Sequence, residues 1–276
     1  MARRTAILLT LTSSVLSIGC ASTPSASIAY LPALAGDYFP LASRATGSRY
    51  HVYVRLPEGY ATAAGKRYPA VYLLDGDSTF PMLAPQHLFL TMDDALPEAI
   101  IVGIAYGGFG EVNRRGFDFM PPGSERPAGA PAFHAMLKDE LIPQIETRFR
   151  TDPTRRILVG QSRGGSFVLY SAFTDPDLFW GRIASNPSIP PTPDFFNGTP
   201  AAATRKDLAL VVVNGTRDLP RLRPQTQAWF AQWRGRPAAP WALHAIDLDG
   251  GTHAADLPSA YRLGLHALFD APRTDP

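Results

Sequence analysis

A serine, a histidine and a carboxylate at three separated points of this chain have the residue types and local settings that acyl chemistry needs. Ser162 lies in Gly160-Gln161-Ser162-Arg163-Gly164, directly after the apolar run Ile157 to Val159. Phe167, Val168, Tyr170 and Ser171 then open an apolar-rich stretch that ends before Asp175-Pro176. The pattern predicts a buried strand, a sharp turn and a helix. Such a turn is too tight for side chains at Gly160 and Gly164, and it would project the serine hydroxyl from the sheet as a nucleophile.

A serine hydroxyl is a weak nucleophile until a base takes its proton. Six histidines are available. His51 falls in an alternating strand pattern, His87, His134 and His266 in helical ones, and His244 inside the strand Trp241 to Leu248, so these five read as packed or solvated rings. His253 follows the loop Asp249-Gly250-Gly251-Thr252 after that strand and precedes the final helix, where the order serine, acid, histidine requires the base. The acid belongs between them in sequence, to orient the imidazole and stabilise its charged form. Asp218 fits, because it follows the strand Leu208 to Val213 through Asn214-Gly215-Thr216-Arg217 and so reaches the same sheet edge as Ser162. Asp249 is the rival, although its closeness to His253 suits a turn or capping role better. Asp207 starts its strand at the wrong end, and Asp175 and Asp177 read as turn residues. A tetrahedral intermediate also needs amide donors, one from Arg163 and a second from the turn Leu74-Asp75-Gly76-Asp77.

The elements that must hold these residues alternate along the chain. Arg49 to Leu56 reads as a half-buried strand, and Ala70 to Leu74, Ile100 to Ile104 and Leu208 to Val213 read as buried ones. Phe133, Leu137, Leu141, Ile145 and Phe149 mark one face of a helix that Pro143 should kink, and Leu257, Tyr261, Leu265 and Phe269 mark the last helix. Alternating βα units imply a mostly parallel sheet covered on both faces, with ligands at the strands' carboxyl ends. Gly107-Gly108-Phe109-Gly110 lacks the lysine and Ser/Thr of a phosphate loop, so it reads as a wall of the cleft and not as a nucleotide site.

With 276 residues, 45% hydrophobic, 18% charged and a formal net charge of +2, the chain suits one large domain. Its dispersed arginines give no case for nucleic acid, and no Cys, His and carboxylate cluster has metal-ligand spacing, so neither metal nor cofactor is expected. Residues 1–20 read as a lipoprotein-type signal: Arg3-Arg4, an apolar stretch from Ala6 to Ile18 too short to span a bilayer, then Ser17-Ile18-Gly19-Cys20. Cys20 is the only cysteine and the expected lipid attachment point, carrying acyl chains such as palmitate. Residues 21–29 would be a flexible tether and 30–276 a single catalytic domain. The expected location is the cell envelope outside the cytoplasm, with an ordinary secretory signal and a soluble secreted or periplasmic protein as the alternative.

Four separated motifs carry a resemblance. Tyr72-Leu73-Leu74-Asp75-Gly76-Asp77, Glu140-Leu141-Ile142-Pro143-Gln144-Ile145-Glu146, Gly160-Gln161-Ser162-Arg163-Gly164-Gly165 and Gly250-Gly251-Thr252-His253 together resemble the Putative esterase family of α/β-hydrolases. That family holds esterase D, feruloyl esterases, siderophore trilactone esterases and mycolyltransferases. The resemblance implies an α/β-hydrolase fold, a Ser-Asp/Glu-His triad and a second oxyanion amide on Asp77. Arg114-Arg115-Gly116-Phe117-Asp118-Phe119-Met120-Pro121 is similar to a stretch of the trilactone and enterochelin esterase branch. Arg163 departs from the apolar or aromatic residue usual after the nucleophile; it, Arg114 and Arg115 read either as solvated arginines or partners of Asp118 and other carboxylates, or as a cleft for anionic or catecholate esters. The expected activity is serine ester hydrolysis on a small-molecule ester, with acyl transfer on the same triad, or an inactive envelope binding lipoprotein, as alternatives.

Overall fold

The computed structural model describes residues 36–123, 127–190, 194–236 and 239–270. Residues 1–20 and 21–29, read above as signal and tether, lie outside these described residues, Cys20 with them. In chain order the elements are β1 (Gly36–Ala42), β2 (Arg49–Arg55), β3 (Tyr68–Leu73), α1 (Gly76–Asp93), β4 (Ile100–Ala105), α2 (Arg115–Asp118) and α3 (Ala130–Ala135). A π-helical turn (Met136–Leu141) leads into α4 (Ile142–Arg148), β5 (Thr151–Gln161), α5 (Arg163–Thr174), β6 (Gly181–Ser185) and α6 (Asp194–Asn197). The chain closes with β7 (Ala209–Gly215), α7 (Arg223–Trp233), β8 (Ala242–Leu248) and α8 (Leu257–Phe269).

Eight strands form one sheet in the order β1-β2-β4-β3-β5-β6-β7-β8. β2 runs antiparallel to both β1 and β4, and every pairing from β4 to β8 is parallel. Alternation along the parallel strands sends side chains to two buried faces. Tyr72, Leu158, Leu210 and Val212 join Phe133, Phe167 and Trp229 on one face. Val71, Leu73, Ile157, Val159, Ile183 and Val211 meet Phe80, Leu83, Tyr261 and Leu265 on the other. Each such aliphatic side chain taken from water contributes about 1.5–3 kcal/mol, so both layers fix the sheet that carries the site.

Chain order reverses around β3: β4 lies on one side of it and β5 on the other. Crevices outside the carboxyl ends of strands open at such a switch point. The turns leaving β3 and β5 therefore face each other, tied by the Leu74 amide donating to the Val159 carbonyl at 3.0 Å.

The helix read around Phe133 to Phe149 differs from expectation. It is built as α3, the π-helical turn and α4, with αR backbone at both junctions, and Pro143 stands in the first turn of α4, directly after the π turn. The extra residue of the π turn absorbs what the sequence suggested as a proline kink. Phe149 lies past the helix in extended backbone, still buried. β1 and β6 had no reading in the sequence.

Candidate active site

Ser162 joins β5 to α5 with φ 57° and ψ −116°. A non-glycine residue held there costs about 1–3 kcal/mol, which surrounding bonds must offset. The Ser162 amide donates to the Ser185 carbonyl at 3.0 Å, and its own carbonyl accepts from the amides of Ser166 and Ser188, each at 3.0 Å. The bend also needs its glycines, because a Cβ on Gly160 would stand 2.4 Å from the Gly164 carbonyl oxygen. The sharp turn expected from the sequence is present.

His253 Nε2 lies 2.9 Å from Ser162 Oγ, and its Nδ1 lies 2.6 Å from Asp218 Oδ1. An ionised carboxylate only accepts, so Nδ1 carries the ring proton and the Nε2 lone pair faces the serine hydroxyl. Asp218 is buried. Its Oδ1 also accepts the Leu219 amide at 2.6 Å, and its Oδ2 accepts Asn214 Nδ2 at 2.9 Å. Asp249 stays apart from the imidazole contact and accepts Thr216 Oγ1 at 3.4 Å. The loop bearing His253 is fastened to the Asp218 turn: the Thr216 amide donates to the Leu248 carbonyl at 2.9 Å and the Arg217 amide to the Gly251 carbonyl at 2.8 Å.

Three amide side chains escaped sequence reading. Asn186, at φ 42° just past β6, donates through Nδ2 to the carbonyls of Thr252 at 2.9 Å and His253 at 3.0 Å. Its Oδ1 accepts from Asn214 Nδ2 at 3.1 Å and the Gly215 amide at 2.8 Å. Gln161 Nε2 donates to the His253 carbonyl at 2.6 Å. Asn186 thus links the His253 loop to β7, and the only signal in the sequence is an Asn-Pro pair, a turn mark with no chemical specificity.

Asp77 and Arg163 stand in the first turns of α1 and α5, where helix amides have no intrahelical acceptor. The Asp77 carboxylate accepts the amides of Tyr106 and Gly107, each at 2.8 Å, so it also anchors the loop leaving β4. Exposed Arg163 extends beside Gly116, and a Cβ on that glycine would stand 3.4 Å from its Nη1. Arg114 Nε lies 3.7 Å from Asp118 Oδ1, with its guanidinium over the Phe117 ring. Arg115 is turned inward: Nε and Nη2 donate to the two oxygens of Asp75 at 2.7 and 3.0 Å. Of the three arginines expected to meet substrate, Arg115 is therefore the one most fully engaged by protein. Among the described residues no group of three His, Cys, Asp or Glu side chains could hold a metal ion, and no helix is long and apolar enough to cross a membrane.

A base against a serine hydroxyl, with a carboxylate behind it and helix-head amides on both sides, can transfer an acyl group through a covalent intermediate. The family model described as Putative esterase matches residues 43–243. The chain belongs to the Putative esterase family. The matched stretch contains Ser162 and Asp218 and stops before His253. The ferri-bacillibactin esterase BesA of Bacillus subtilis is 32% identical over 169 residues, which cover 54% of this chain and 57% of that protein. The apo-salmochelin esterase of Escherichia coli is 28% identical over 152 residues, covering 51% of this chain and 47% of the relative. These alignments thus span about half the length of the curated relatives. Among solved structures, the siderophore hydrolase EstB from Aspergillus nidulans superposes with a TM-score of 0.75 at 22% identity, over 91% of this chain and 99% of that one. The BES protein from Bacillus cereus gives 0.71 at 22% identity over 84% and 94%. This Putative esterase family member has the α/β-hydrolase fold.

Proposed function

We propose that the protein is a serine carboxylic ester hydrolase acting on siderophore-type esters. The observation that carries the reading is the unbroken run of contacts from Ser162 Oγ through His253 to Asp218 at the β3/β5 switch point. Ser162 Oγ attacks the ester carbonyl carbon while His253 Nε2 takes the hydroxyl proton and Asp218 stabilises the imidazolium. The amides of Asp77 and Arg163 receive the oxyanion. Collapse expels the alcohol, protonated by His253, and leaves an acyl-serine. Water, deprotonated by the same imidazole, then releases the acid and restores the hydroxyl.

The siderophore class draws on the relatives named above and on the rim of the cleft. The loop after β4 exposes Phe109, at 76%, and Val112, and α2 exposes Phe117 under the Arg114 guanidinium, with Arg163 Nη1 near the adjacent Gly116. Apolar faces among guanidinium groups suit a planar anionic aromatic ring through stacking and pairing. Incubation of the purified protein with a catecholate trilactone and with a p-nitrophenyl ester, following acid release, tests the class. Faster turnover of the trilactone is expected, and turnover of the p-nitrophenyl ester alone would remove the siderophore reading.

The amino-terminal reading places the enzyme at the envelope through a diacylglyceryl thioether on Cys20, since two or more acyl chains hold a protein stably at a bilayer. Cys20→Ser should abolish incorporation of labelled fatty acid and release the protein from membranes. Unchanged membrane fractionation without label would favour a plain secretory signal.

A further inference from the structure

We propose that Arg115 is a positioning residue which locks together the two turns bearing the oxyanion amides, acting through Asp75 and not through substrate. The inference rests on the serine esterase reading above. Asp75 follows the β3 strand in the left-handed region, φ 56° and ψ 43°, and its carbonyl accepts the amides of Ser78 and Thr79 at 3.0 Å each. It is the pivot from which α1 leaves the sheet, two residues before Asp77. Its side chain turns toward the nucleophile bend: a Cβ on Gly164 would stand 3.1 Å from Asp75 Oδ2.

One guanidinium spans this gap. Besides its two bonds to Asp75, Arg115 Nη2 lies 3.4 Å from the carbonyl oxygen of Gln161, the residue before Ser162. A two-bond Arg-carboxylate pair fixes orientation as well as distance. The support behind Arg115 is itself held. Its guanidinium lies over Phe119, 5.9 Å from the ring centroid, and Phe119 packs on Phe133 and on Phe167 of α5. At the end of α2, Asp118 Oδ2 accepts the hydroxyls of Tyr50 at 2.8 Å and Tyr106 at 3.2 Å. The Arg115 side chain is 26% exposed, with its fork already occupied.

Two consequences follow for a developing oxyanion. The donors must sit within a fraction of an ångström of where the charge forms, and a misplacement of about 1 Å costs about 10²-fold in rate. A bare carboxylate near the same place would also oppose that charge. Burial pushes the Asp75 carboxyl above the ordinary carboxylate range, and the Arg115 pair pulls against that shift.

The test begins with a fluorophosphonate probe on the wild-type protein, with the labelled residue mapped. Absence of label on Ser162 overturns the serine mechanism and this inference with it. With Ser162 labelled, Arg115→Met should lower kcat on a neutral p-nitrophenyl ester about 10²-fold, with KM changed less than twofold. Arg115→Lys, which keeps the charge and loses the fork, should fall between it and wild type. Asp75→Asn added to Arg115→Met should recover roughly tenfold, because the unpaired carboxylate is gone. Thermal unfolding of each variant separates loss of fold from loss of rate. Raised KM for an acidic ester with unchanged kcat on the neutral one would make Arg115 a substrate contact. A double variant slower than Arg115→Met would likewise overturn the coupling.

Discussion

Asn186 Nδ2 donates to the His253 carbonyl at 3.0 Å, so the residue that follows β6 holds the backbone of the imidazole on the loop after β8. The same amide reaches the Thr252 carbonyl, and Asn186 Oδ1 accepts from Asn214 Nδ2, which also donates to Asp218 Oδ2. The imidazole and its carboxylate are thereby referenced to one side chain.

Asn186→Gly removes these bonds and takes the Oδ1 acceptor from the buried Gly215 amide, while the His253 carbonyl keeps Gln161 Nε2; the expected loss is about 1–3 kcal/mol. Asn186→Ala loses the same bonds and keeps a Cβ at φ 42°, a strain of about 1–2 kcal/mol that Gly relieves. Denaturant unfolding should rank wild type above Gly and Gly above Ala, with kcat reduced in both and KM nearly constant. Equal stability of the Gly and Ala variants would refute the strain component.

Ser162→Ala and His253→Ala should each lower kcat about 10⁴-fold or more while the protein remains folded, because the three residues act as a unit. Asp218→Asn should also be severe, since the amide would present the wrong partner to Nδ1. Asp249→Asn should leave the rate within a fewfold of wild type. Steady-state kinetics on one neutral ester decides, and a larger loss for Asp249→Asn would transfer the acid role.

Arg163→Leu removes a guanidinium at the mouth of the cleft and keeps the backbone amide. KM for an acidic ester should rise about tenfold, in keeping with loss of one charged hydrogen bond, and a neutral ester of equal size should be spared. Equal effects on both would give Arg163 a structural part only.

His87 supplies a pH dependence remote from the site. Its Nδ1 lies 2.9 Å from the Tyr261 hydroxyl and its Nε2 lies 3.1 Å from the Pro97 carbonyl. Burial pushes its pKa down to about 4. The unfolded chain binds that proton near pH 6.5, so between about 6.5 and 4 the unfolded state holds more protons and stability falls as pH falls. The loss from this group is about 3 kcal/mol and is complete below about pH 4. His87→Gln should flatten that part of the stability curve; an unchanged slope from pH 7 to 4 would contradict the buried neutral ring.

Features set by residues close together in the chain are the ones its sequence determines. Ser162 was legible because two glycines, an entering apolar run and a following helix all lie within about a dozen residues, the range over which periodicity and turn chemistry act. His253 and Asp218 were legible as positions, since chain order puts them on loops at the carboxyl edge, and the strands β2, β3, β4, β7 and β8 were marked by alternation or by apolar runs. β6 was hidden because Arg182 interrupts its short pattern. In the fold this arginine is buried, and its guanidinium satisfies the carbonyls of Ser171, Asp175, Pro176 and Phe179. The contacts among Ser162, His253 and Asp218, the inward turn of Arg115 to Asp75 and the hold of Asn186 on the His253 loop join segments 35 to 91 residues apart. Only tertiary structure decided them, because a polar side chain's partner is set by which backbone and carboxyl groups burial leaves unpaired.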